Sequence, residues 1–180
     1  MPHTLTIQNR QRTRAVETRL LRQIVDCLLT ELLQVSQADL GLILVATLEM
    51  ARVNEQFLKH KGSTDVITFN HASGVSPPGD LGLELHVAGI FDHLKPQLQI
   101  LRGELFVCVD EALIQAQRFR TTWQAELVRY VIHGVLHLRG FDDCRAAARR
   151  VMKREENRLL RILTRRFNFN QLTRARRRSA

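Results

Sequence analysis

Cysteine is scarce in this chain: Cys27, Cys108 and Cys144 are the only three among 180 residues, and no two stand at C-x-x-C spacing. An odd, scattered set argues against a disulfide framework and a cysteine zinc site, and it suits a reducing compartment. Long apolar runs are missing too. The longest, residues 42–46, is far too short to cross a bilayer, and residues 1–14 hold no apolar segment of the signal-peptide kind. The expectation is a soluble, unexported, cytoplasmic protein with no membrane partner. Acid is in short supply: 18 Asp and Glu face 27 Lys and Arg, a net charge of +9. Such an excess draws a protein toward polyanions such as RNA. It is concentrated in residues 164–180, which carry Arg165, Arg166, Arg174, Arg176, Arg177 and Arg178 and no acid at all. Arginines in this pattern neutralise phosphates and release counterions, so Arg165, Arg166, Arg176, Arg177 and Arg178 are candidates for RNA contact.

What is present is enough apolar material for one core, 44% of the chain, which predicts a single domain over 1–163 followed by a basic tail over 164–180. Residues 4–8 alternate apolar and polar through Leu5 and Ile7, as a half-buried strand does. Between 13 and 34, Val16, Leu20, Ile24, Leu28 and Leu32 recur every four residues and predict one long helix. Residues 42–46 read as a buried strand, after which Thr47 can cap a helix carrying Met50, Val53 and Phe57. Gly62 and Ser63 turn the chain into a strand at 65–69.

Residues 71–101 contain Gly74, Pro77, Pro78, Gly79, Gly82, Gly89 and Pro96 and read as an irregular excursion with a short strand near 83–87. A strand at 104–109 follows, then a helix capped by Asp110 that runs to Phe119. The stretch Thr121-Thr122-Trp123-Gln124 has the capping-box pattern for the next helix, with Trp123 in the core. A last basic helix runs from about 145 to 166, with Val151, Leu159, Ile162 and Leu163 as core positions. Strands interrupted by helices in irregular order predict an α+β fold, a mixed sheet of about four strands with helices packed on it.

One helix carries chemistry. His133 and His137 stand four residues apart, hence on one helical face, from which both imidazoles can reach a single ion. Gly140 is a natural left-handed stop, and a turn there can bring Asp143 back as a third ligand. Three protein ligands leave the fourth zinc position open, as catalytic zinc requires. Asp142 is either the third ligand in place of Asp143 or a partner that orients a ligand histidine, and Cys144 is a further substitute.

The run His133-Gly134-Val135-Leu136-His137-Leu138-Arg139-Gly140-Phe141-Asp142-Asp143 resembles the YbeY signature H-G-x-L-H-L-x-G-Y-D-H. Asn54, Phe57 and Thr64-Asp65-Val66-Ile67-Thr68-Phe69 are similar to that family's N-x-x-Y-R and T-D-V-L-S-F blocks, and Arg102-Gly103-Glu104-Leu105 to a strand start. Met152 with Glu155 or Glu156 extends the likeness into the last helix. The resemblance implies one zinc on a zincin-like active-site helix, held by His133, His137 and Asp143. It also implies endonucleolytic cutting of single-stranded RNA in small-subunit rRNA 3′-end maturation and ribosome quality control.

Three departures accompany the likeness. Asp143 replaces the last histidine of the signature, Leu58 stands where the family has arginine, and 71–101 resembles an insertion between neighbouring strands. Near Leu58, Lys59 and Lys61 are candidates for holding phosphate, and Lys59, His60 and Asp65 for catalysis. A zinc-containing RNA-binding ribosome factor without activity is the alternative reading. A zincin-type metalloprotease is opposed by Gly134, since those enzymes carry their general-base glutamate at that position.

Overall fold

The computed structural model describes residues 3–71 and 100–173. Four strands form one sheet in the order β1-β2-β4-β3, with β1 at Thr4–Asn9, β2 at Gln37–Val45, β3 at Val66–Asn70 and β4 at Ile100–Cys108. β1, β2 and β4 run parallel, and β3 pairs antiparallel with β4. β2 and β4 begin earlier than their apolar runs because alternation, rather than continuous hydrophobicity, carries them. Ala38, Leu40, Leu42 and Leu44 all point to the large core, as do Leu101, Leu105 and Val107.

Helices α1 (Thr18–Cys27), α3 (Val109–Phe119), α4 (Trp123–Leu138) and α5 (Ala146–Arg166) contribute to that core. The opposite face of the sheet carries a smaller cluster, in which Ile43, Val45, Ile67 and Cys108 meet Met50 of α2 (Thr47–Val53). The architecture is the expected α+β fold of a four-stranded mixed sheet with helices on it. β3 and β4 are neighbours, and the chain between them includes 72–99, so the strand expected at 83–87 lies outside the described residues.

Local expectations shift where a polar side chain finds a better partner. The first helix starts at Thr18 rather than 13, because Gln11 organises the preceding turn, bonding Asn9 Oδ1 and both backbone groups of Arg14. Val16 is buried through a β-bridge to Thr173, and Glu17 caps the helix. The helix then continues as a π-helical turn at Leu28–Leu32. Asp110 does not cap its own helix. Its carboxylate accepts from Thr47 N at 2.7 Å and Thr47 Oγ1 at 2.9 Å, closing the start of α2 instead. In α4, Thr122 caps Ala125 N while Gln124 reaches Thr173 Oγ1, so the capping box is not formed as its pattern suggests. On α5 the core stripe is Met152, Glu156, Leu159 and Leu163, and Val151 is exposed. Residues 167–173, within the stretch read as a tail, fold back so that Phe169 and Leu172 are buried. The packed unit therefore runs past 163.

Candidate metal centre

α4 lies close against β3 and β4, and Gly134 is what permits it. A Cβ at 134 would stand 2.7 Å from Leu105 Cδ2 and 3.3 Å from Thr68 Oγ1. With 134 on the sheet side, His133 and His137 emerge together at the edge of the core, half-buried, with their Nε2 atoms 3.0 Å apart. The helix stops as its sequence predicts. Gly140 adopts φ +86°, its N–H donates to the His137 carbonyl, and Phe141 N–H donates to the Leu136 carbonyl at 3.0 Å, a Schellman closure. The turn returns Asp143, whose carboxylate oxygens lie 3.9 Å from each histidine Nε2. Two atoms bound at about 2.0–2.2 Å to one tetrahedral ion stand about 3.3–3.6 Å apart, and the observed 3.0 and 3.9 Å bracket that spacing, so small side-chain shifts let the three share one ion.

The orientation of the rings strengthens that fit. His133 Nδ1 faces Glu156 Oε2 at 3.2 Å, and His137 Nδ1 faces the Phe141 carbonyl at 3.1 Å. An ionised carboxylate and a carbonyl only accept, so both Nδ1 atoms carry a proton, and when both rings are neutral their Nε2 atoms present lone pairs to one another. Two lone pairs at 3.0 Å repel, so either a proton on one Nε2 or a metal ion bound by both must relieve the contact. Burial would raise the Glu156 carboxyl, but bonds from His133 and Arg129 and the Lys153 charge hold it at about 2, so it stays ionised. His133 is lowered by burial and raised more by Glu156, Asp65 and Asp143, while burial and the charge of His133 depress His137.

The family resemblance includes Glu155 or Glu156, but residue spacing alone assigns Glu156 no role at the centre. Its sequence signal is an acid in line with Met152, Leu159 and Leu163 on the apolar stripe of α5; in the structure it is 3% exposed and accepts from Arg129 Nη1 at 2.7 Å. Asp142 turns its Oδ1 to Cys144 N–H at 3.0 Å. Asp142, Asp143 and Cys144 also cluster, but Cys144 is exposed and its neighbouring acids raise its thiol, which disfavours a thiolate ligand. Arg149 holds the ligand loop by donating from Nε to the Asp143 carbonyl at 2.8 Å.

The centre opens on a cleft of about 620 Å³ whose walls include Asp65, Phe119, Arg129, Tyr130, His133, Asp143 and Lys153. Of the catalytic candidates, Asp65 lines this cleft, while Lys59 and His60 do not. Lys59 ends the helical turn after α2 at φ +59° and donates to the Gln56 carbonyl, and Lys61 is exposed on the following turn. Arg166 pairs with Glu31 at the far end of α5, and Arg165 is exposed beside it. Arg176, Arg177 and Arg178 lie outside the described residues. No helix among the described residues is long and apolar enough to cross a membrane.

A mixed-sheet α+β protein with two histidines and a carboxylate converging at a cleft has the frame of a metal-dependent hydrolase. The comparisons narrow that class. The family model described as Endoribonuclease YbeY matches residues 6–164, and the chain belongs to this family of endoribonucleases. It is 29% identical over 159 residues to Endoribonuclease YbeY of Salinibacter ruber, a match covering 88% of this chain and 91% of that one. It is 34% identical over 114 residues to the Endoribonuclease YbeY of Chlorobium phaeovibrioides, covering 63% of this chain and 61% of the relative. A solution structure from Thermotoga maritima, 20% identical and covering 98% of this chain and 100% of that one, shares the fold with a TM-score of 0.58.

Proposed function

We propose that the chain is a zinc-dependent endoribonuclease that cuts single-stranded RNA in the cytoplasm, acting in small-subunit rRNA 3′-end maturation and ribosome quality control. His133, His137 and Asp143 hold the one ion. The observation that carries the reading is the convergence of His133 Nε2, His137 Nε2 and the Asp143 carboxylate beside a cleft, in a chain of an endoribonuclease family. Zinc held there would supply Lewis acidity and acidify water toward neutral pH.

The chain's own groups have separable tasks. Glu156 and the Phe141 carbonyl orient the imidazoles. Arg149 tethers the loop that carries Asp143. Lys153, with a side chain 60% exposed beside the cleft, offers positive charge to a phosphate. Asp65 places a carboxylate in the cleft wall as a proton acceptor. Asp143 in place of a histidine adds negative charge, which lowers the Lewis acidity of the centre relative to a three-histidine site. The domain runs from the first strand to the fold-back after α5, with the basic end of the chain as an RNA-binding extension.

A peptidase reading is disfavoured by packing as well as by sequence. Position 134 has no side chain to act as the base, and a Cβ there would meet Leu105 and Thr68, so the helix seat leaves no room for the glutamate a zincin carries. The test is cleavage of a single-stranded oligoribonucleotide by purified protein. Cutting should vanish on chelation and return with zinc. RNA binding that survives chelation, together with no cutting by the zinc-loaded protein, would instead mark an inactive ribosome factor.

A further inference from the structure

Phe119 is the last residue of α3, and 61% of it is exposed. Large aromatic side chains are usually placed to bury their rings, and this one instead lines the cleft that contains His133 and Asp143. The Arg118 guanidinium stands 5.5 Å from its ring centroid, so a cation accompanies the ring. Glu126, Arg129, Tyr130 and His133 form the α4 wall between the two ends of the cleft. At 1.5 Å per residue, that wall measures about 10 Å from the Phe119 end to the histidine end. The intervening walls combine the apolar side chain of Met152 and the ring of Tyr130 with the amides of Gln115 and Asn157 and the guanidinium of Arg129. An aromatic face beside amide side chains, one helical stretch away from a phosphate-cutting centre, matches how proteins hold a splayed-out base.

We infer that Phe119 is the platform of a nucleobase subsite: an unpaired base of the RNA stacks on its ring, with its edge toward Gln115 and Asn157, while the phosphate to be cut lies at the histidine end. This rests on the reading of the centre as an RNA-cutting site. It deepens that reading by giving the cleft a physical reason to prefer single strands, since a base held in a duplex stack cannot lie on the ring.

The test measures affinity of the zinc-loaded full chain for a fluorescent single-stranded oligoribonucleotide, and for the same strand carrying one abasic nucleotide near the cut position. Phe119→Ala should weaken binding of the intact strand about five- to a hundredfold, Phe119→Leu similarly, and Phe119→Trp should bind better than either. The abasic strand should bind wild type more weakly, and that penalty should disappear in Phe119→Ala, a coupling that a merely structural role would not produce. Equal affinity of wild type and Phe119→Ala, with zinc-dependent cutting intact, would overturn the subsite and leave the proposed function standing. Absence of any RNA binding or cutting by zinc-loaded wild type would overturn both.

Discussion

The Glu156 carboxylate lies 3.2 Å from His133 Nδ1 and so turns Nε2 of that ring toward His137. The same carboxylate accepts from Arg129 at 2.7 Å and Lys153 at 3.2 Å, so one buried acid on α5 fixes a ligand on α4. Removing the charge should loosen the ring without removing a ligand. Glu156→Gln is expected to weaken zinc about 10- to 100-fold, the usual effect of losing a partner that orients a metal-bound histidine. Competition with a fluorescent chelator measures it, and unchanged affinity would assign Glu156 to packing alone.

Arg149 offers a second route to the same centre. Its Nε and Nη2 bond the carbonyls of Asp143 and Cys144, at 2.8 Å and 3.4 Å. Arg149→Ala should lower zinc affinity, with global stability changed by less than about 0.5 kcal/mol because the side chain is exposed. A fall in melting temperature with no change in zinc binding would contradict this role.

The seat of α4 on the sheet depends on the missing side chain at 134. Gly134→Ala puts a methyl group 2.7 Å from Leu105 Cδ2 and is expected to destabilise by about 1–3 kcal/mol, read as a lower urea midpoint. A variant as stable as wild type would mean that helix and sheet part easily.

Asp110 supplies a pH dependence remote from the centre. Burial would raise its carboxyl, but bonds from Thr13 and from Thr47 N–H and Oγ1 outweigh this and hold it below its ordinary value. A carboxylate depressed in the folded state stabilises above its unfolded pKa of about 3.9, and loses that contribution as pH falls through the folded value. Asp110→Ala should cost about 0.5–2 kcal/mol at pH 7, as helix-cap deletions do. The gap to wild type should narrow below about pH 4. A gap independent of pH would show that the charge contributes nothing.

Periodicity and punctuation carried much of this account. The Gly140 stop, the histidine spacing and the four strands were legible because each follows from local backbone preference or a repeat of two or four residues. Long-range exchange of polar partners was not legible: Asp110 closes α2 rather than α3, and Gln124 bonds Thr173 instead of completing a box. Neither the role of Glu156 nor the cleft position of Phe119 follows from spacing, since both depend on how α3, α4 and α5 pack. Gly134 had a chemical meaning in the sequence, the lack of a protease base, and gains a steric one from Leu105 and Thr68.

The most direct test is metal analysis of the purified protein beside His137→Ala, Asp143→Ala and Asp142→Ala. Wild type should carry one zinc per chain. His137→Ala and Asp143→Ala should lose it while remaining folded, and Asp142→Ala should keep it. Full zinc content in Asp143→Ala, or none in folded wild type supplied with zinc, would contradict the three-ligand centre.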